Sequence, residues 1–213
     1  LPIYTTDAQA QRDLSISLEK LGEVAGKYGQ LGEAKGFFER SLKLREALAA
    51  ADTMDAQAQR DLSISVDRLG EVAGQMGQLG EAKDFFERSL KLREALAAAD
   101  TTDTQAQRDL SVGFERLAQV SRDFGLLAAA QSHQRRALAI SHRLAQLAPL
   151  SVEIQRTLLV HRLQLGFLHQ QNKDRDAARQ EAKVATALLD ALRPRLPMQD
   201  AEELDKEIRL LLC

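Results

Sequence analysis

The eleven residues DAQAQRDLSIS open at Asp7 and open again, letter for letter, at Asp55. From Asp103 the chain reads DTQAQRDLSVG, and from Ser151 it reads SVEIQRTLLVH. The four starts lie 48 residues apart. Residues 55–102 repeat residues 7–54 at all but seven positions. A fixed period of this size marks an array of stacked units rather than one globular core.

Composition agrees. Apolar residues make up 44% of the 213-residue chain, aromatics only 4%, and there is no Trp. Ala, Leu, Glu, Arg, Lys and Gln dominate, which favours helix. Within residues 7–54, Asp7 is read as an N-cap. Leu14, Leu18, Leu21 and Ala25 then fall on one helical face. YGQLGEA (28–34) breaks the helix, with Gly29 suited to a left-handed C-terminal residue. A second helix is predicted from about Glu33 to Asp52. Its stripe is Ala34, Phe38, Ser41, Leu42, Arg45 and Leu48, broadened by Phe37 and Leu44. Each unit is thus a pair of antiparallel helices that buries its apolar faces only against a neighbour. After Pro194 and Pro197, residues 199–213 read as a lone last helix. Asp200 is its expected cap, and Leu204, Ile208, Leu211 and Leu212 its covering face.

Charge and cysteine count narrow the function. A formal net charge of −2 provides no global basic field for nucleic acid or acidic membranes. No apolar run approaches the roughly 18 residues that cross a bilayer. The single cysteine, Cys213, forms no intrachain disulfide, which favours a reducing, cytoplasmic setting. The opening at Leu1 reads as a domain taken from a longer protein. No chemistry stands out: a metal pair on one helix face wants spacing near i, i+4, whereas His161 and His169 are eight apart. GQLG is a helix–helix turn rather than a phosphate cradle. No catalytic residue, cofactor or metal is expected.

Leu21-Gly22, Gly29, Ala34, Phe38 and Ser41 resemble the signature of the tetratricopeptide repeat. The second unit carries it as Leu69-Gly70, Gly77, Ala82, Phe86 and Ser89. In the third, Gln134 replaces the bulky residue. In the fourth, Ala182 replaces it and Lys173 replaces the turn glycine. Small residues let two helices approach while Leu and Phe fill the gaps. The family's usual period is 34. The excess of 14 is read as two extra turns on each helix, and Pro149 and Pro197 lie seven residues beyond the family's Pro position. Such long repeats resemble those of large bacterial multidomain proteins, where they sit beside signalling or catalytic modules.

The resemblance implies an all-α fold: one right-handed solenoid domain over 1–213, with repeats at about 7–54, 55–102, 103–150 and 151–198. Residues 199–213 would be its capping helix. It also implies a non-enzymatic protein-interaction module, a sensor or scaffold region that binds a partner in its concave groove. The groove positions it implies are Glu19, Glu23, Asp67, Glu71, Glu115, Gln119, Leu163 and Phe167. Five carboxylates in a row suit a basic segment, and Leu163 and Phe167 an apolar pocket. Against this stand pairing of the carboxylates with nearby cations and burial of Leu163 and Phe167 under the last helix. Arg12, Arg60, Arg108 and Arg156 recur in phase, each of the first three followed by an Asp, and read as an inter-repeat ladder. The alternative functions are a structural spacer, a self-associating module, or the regulatory part of an enzyme.

Overall fold

The computed structural model describes residues 3–212, with side chains described from Asp7 onward. Cys213 lies outside them. Among the described residues there are nine α-helices, one short 3-10 turn and no strand. The fold is an all-α helical repeat. It comprises two compact units, Leu1–Thr101 and Thr102–Cys213.

The first unit holds α1 (Ile3–Lys27), α2 (Leu31–Ala51), α3 (Ala56–Gln75) and α4 (Leu79–Ala99). The second holds α5 (Thr104–Asp123), α6 (Leu127–Leu147), α7 (Val152–Gln171), α8 (Arg175–Leu192) and α9 (Met198–Leu212). In each unit the helices pack within pairs. The second helix of the leading pair also packs on the first of the next, α2 on α3 and α6 on α7. α9 packs mainly on α8 and also on α7.

Helix boundaries follow local chemistry. The Asp55 carboxylate accepts from the amides of Gln57 and Ala58 at 2.9 and 3.0 Å, and Asp103 does the same for α5. Ser151 caps α7 through the Ile154 amide at 3.4 Å. These bonds satisfy donors that a helix start leaves open. Asp7 is the exception to the expected cap. α1 begins four residues earlier, at Ile3, because Ile3-Tyr4-Thr5-Thr6 contains no Gly or Pro to hold the helix off.

The turns are equally regular. Gly29, Gly77 and Gly125 have φ of 74°, 74° and 76°. After each, a backbone amide reaches back to a helix carbonyl: Gln30 to Ala25, Gln78 to Ala73 and Leu126 to Ser121, at 2.8–2.9 Å. This is the six-to-one bond of a left-handed helix stop. Lys173 holds the same place with φ 61°, and Asp174 makes the equivalent bond to His169. A side chain there is strained where glycine is not.

Packing explains the Leu-Gly signature. A Cβ on Gly22 would sit 2.7 Å from the Phe38 ring, and one on Gly70 2.6 Å from the Phe86 ring. The aromatic ring lies flush on the helix backbone. In the fourth pair, Ala182 stands where the ring would be. Leu211 of α9 fills the space over Gly166 instead, 2.7 Å from a built Cβ. The loss of the bulky residue makes room for the last helix. On α9, Ala201, Leu204, Ile208 and Leu211 are buried and Leu212 is exposed, so Ala201 takes the place expected for Leu212. Asp200 lies inside the helix and pairs with Arg156 at 3.8 Å. On α2 the buried stripe ends on Ala49 rather than Leu48.

Polar side chains stitch the pairs together. Ser41 donates to the Ser15 carbonyl at 3.1 Å, and Ser89 to the Ser63 carbonyl at 3.0 Å. Arg45, nearly enclosed, spans Glu19 at 3.3 Å and Asp61 at 2.6 Å. Arg93 pairs with Asp67 at 2.5 Å. The in-phase arginines do form a ladder inside each unit, but mostly to acids at the next helix start. Arg12 reaches Asp55 at 3.6 Å, and Arg108 pairs with Glu153.

Candidate functional site

Each unit has a groove between the first helices of its two pairs. In the first unit it lies between α1 and α3, over the floor residue Phe38, with a volume of about 460 Å³. Gly22, Glu23, Gly26 and Lys27 line one wall, and Arg68, Glu71, Val72 and Gln75 the other. In the second unit a groove of about 400 Å³ lies between α5 and α7. Ala118, Gln119 and Arg122 line one wall, Gln164, Phe167, Leu168 and Gln171 the other, with Gln134 as the floor and Glu115 at its edge. Eight lining residues of one groove lie 96 residues, two repeats, from eight of the other, and only Lys27 and Glu115 lack a lining counterpart. The same site is built twice, with different chemistry.

The first groove is charged and balanced. Arg68 donates from both terminal nitrogens, to Glu23 at 2.7 Å and Glu71 at 3.2 Å. Burial alone would lower the Arg68 pKa, but the charges of Glu71, Glu23 and Glu19 and the Glu71 hydrogen bond outweigh it and raise it. Lys27 adds a second cation. The second groove is amide-rich. Gln134 donates to Gln164 at 2.8 Å, and Gln164 donates to Glu115 at 2.6 Å. Phe167 packs on the core of the second unit with part of its ring exposed.

The eight residues expected from the resemblance fall into two layers. Glu23 and Glu71 share the first groove. Glu115, Gln119 and Phe167 share the second. Glu19, Asp67 and Leu163 lie deeper. Glu19 accepts from Ser41, Ser65 and Arg45. Asp67 is buried against Arg93. Leu163 is 1% exposed inside the cluster of Leu159, Leu189, Leu204 and Ile208. The resemblance implies groove positions for these three, but neighbouring side chains reach across the helix seam and cover them.

Sequence reasoning missed one constellation. Ser141 Oγ and His161 Nδ1 lie 2.5 Å apart, and His161 Nε2 is 3.6 Å from the Glu115 carboxylate. The register held the signal. Ser141 follows Arg45 and Arg93 in phase, and His161 follows Ser17 and Ser65. Ser141 also donates to the Ala137 carbonyl at 3.0 Å. His161 is 2% exposed and Ser141 1%. The trio ties α5, α6 and α7 together as a strut. Among the described residues no group of three or more His, Cys, Asp or Glu is placed to hold a metal ion. None of the described helices is long and apolar enough to cross a membrane.

The strut gives a pH signature. Burial pushes the Glu115 carboxyl up, but hydrogen bonds with His161 and Gln164 and the charges of His161 and Arg116 outweigh it and hold the group below its ordinary 4.5. A carboxyl depressed on folding stabilises above its unfolded pKa and loses that contribution as pH falls through the folded value. The Tm advantage of the native chain over Glu115→Gln is therefore expected to persist above about pH 4.5 and to shrink below it. Thermal melts of both proteins across pH 3–7 check this.

The tetratricopeptide-repeat sequence pattern matches residues 66–96, from mid-α3 through most of α4. No curated protein sequence matches the chain. Among solved structures the chain is similar to BtubC (BKLC) from P. vanneervenii, with a TM-score of 0.69 and 16% identity over 88% of this chain and 67% of that one. It is also similar to a kinesin-light-chain-type protein of Podosopora anserina with nearly identical TPR-like repeats. There the TM-score is 0.60 and identity 18%, over 92% of this chain and 93% of the other. At these identities the likeness is one of fold. The match at 66–96 falls on a pair whose helix stop, ring-on-glycine contact and serine bond recur in the pair before it, so the chain carries a tetratricopeptide-repeat match at 66–96 within a tetratricopeptide-like helical-repeat fold.

Proposed function

We propose that this chain is a protein-interaction module, a scaffold rather than a catalyst, and that each of its two units offers a groove to a protein or peptide partner. The observation that carries this reading is the duplication of one groove from position-equivalent residues, 22–27 with 68–75 and 118–122 with 164–171. The tetratricopeptide fold itself suggests such a module.

For the first groove the partner residue is basic. Glu23 and Glu71 are held by a half-exposed Arg68, and exposed pairs of this kind contribute only about 0–1 kcal/mol. A Lys or Arg of the partner competes with Arg68 at little cost. Lys27 opposes it, so charge here aids orientation and speed of binding more than affinity. For the second groove, Gln119 and Gln171 suit a peptide backbone, and Phe167 an apolar side chain. The test titrates the full chain with a lysine-bearing peptide and a length-matched glutamate-bearing one. Preference for the basic peptide is expected. It should be lost in Glu23→Lys/Glu71→Lys with helicity unchanged. Equal binding of both peptides, or undiminished binding to the double variant, contradicts the reading.

A further inference from the structure

On α1, Leu14, Leu21 and Val24 are 49%, 50% and 51% exposed. One repeat later, Leu62, Leu69 and Val72 are 7%, 1% and 4% exposed. In the second unit the equivalent Leu158, Leu165 and Leu168 are 4%, 3% and 5% exposed. The side-chain types at these positions are the same or nearly so. What differs is that α3 and α7 each have a preceding helix pair packed on them. Leu62, Leu69 and Val72 share a core cluster with Phe38, Leu42 and Ala49 of α2.

The polar rim repeats in the same way. At the junction inside the first unit, Asp61 receives Arg45, Arg68 reaches Glu23, Glu81 receives Lys35 and Arg88 reaches Glu46. One repeat back, the receiving positions hold Asp13, Lys20, Glu33 and Arg40, of the same charge in every case and all exposed. The face therefore carries both the apolar stripe and the charge pattern that elsewhere in the same unit meet the trailing side of a helix pair. An apolar face framed by this pattern is a docking surface, and the internal junction supplies its complement.

We infer that the outward face of α1 and α2 receives one more helix pair of the same 48-residue kind, seated by its second helix. The occupant presents an arginine to Asp13, glutamates to Lys20 and Arg40, a lysine to Glu33, and a Phe/Leu/Ala stripe to Leu14, Leu21 and Val24. A second copy of this chain does not offer that side at its last pair, because α9 covers it with Ala201, Leu204, Ile208 and Leu211. This surface is separate from the two grooves, and its occupation goes beyond the reading proposed for them.

The test adds a synthetic polypeptide with the sequence of residues 7–54 to the full chain and follows amide hydrogen exchange. Exchange of α1 amides from Leu14 to Val24 should slow by about tenfold or more, as for a helix that moves from the frayed edge of a fold to its interior. A probe carrying Arg45→Glu and Glu23→Lys should not protect them. Since an isolated pair need not fold, a second form fuses residues 7–54 in register ahead of Asp7, in place of residues 1–6. In that protein α1 should reach the protection of α3. Unslowed α1 exchange in the fusion overturns the inference, as does equal protection by the charge-altered probe. A concentration-dependent dimer of the unfused chain that Leu21→Asp abolishes would make a second copy the occupant, and overturns it too.

Discussion

Replacing Arg93 by leucine is expected to destabilise the first unit by about 3–5 kcal/mol, and replacing Asp67 by leucine as well to restore most of the loss. Arg93 and Asp67 are 4% and 6% exposed and pair at 2.5 Å. Removing the cation leaves a carboxylate in a site that water barely reaches, and the desolvation cost of that charge is no longer offset. Removing both leaves an apolar seam. The chain already contains that solution. The fourth pair places Leu163 and Leu189 at the same two positions, 1% exposed each, in one hydrophobic cluster. Urea melts of the single and double variants measure it. A double variant no more stable than Arg93→Leu would show that the pair does more than hold α3 against α4.

Leu163→Ala is expected to cost the second unit about 2–5 kcal/mol, the range for a leucine deleted from a tight core. It touches the elements that close the unit, α7, α8 and α9, and its removal leaves a cavity they fill only by shifting. Phe167→Ala, four residues on, should behave differently. Part of the Phe167 ring faces the groove, so its truncation should weaken peptide binding more than stability. Melts paired with peptide titrations separate the two. Comparable stability loss in both variants would place Phe167 in the core and remove the apolar anchor from the second groove.

The 48-residue period, the paired helices and the glycine turns were legible because each rests on local rules. Apolar spacing sets the helix, glycine sets the left-handed stop, and Asp55, Asp103 and Ser151 set the starts. Asp7 was misread because the repeat implied a boundary that nothing ahead of it enforces. The first-helix positions of Glu23, Glu71, Gln119 and Phe167 were legible from the repeat. Depth was not. Whether a carboxylate at that seam meets solvent depends on an arginine 26 residues later, as Glu19 with Arg45 and Asp67 with Arg93 show. The Ser141–His161–Glu115 strut was hidden for the same reason, joining three helices from two repeats. The exposure of Leu14 and Leu21 has no local signal at all, because the same letters at Leu62 and Leu69 are buried.

The measurement that bears most directly on the account is the footprint of a selected peptide. A random peptide library selected on the immobilised full chain supplies the ligands, and hydrogen exchange maps where they bind. The account predicts protection confined to the groove walls, 22–27 with 68–75 or 118–122 with 164–171. Selected peptides that protect other surfaces and leave both grooves exchanging freely would contradict it.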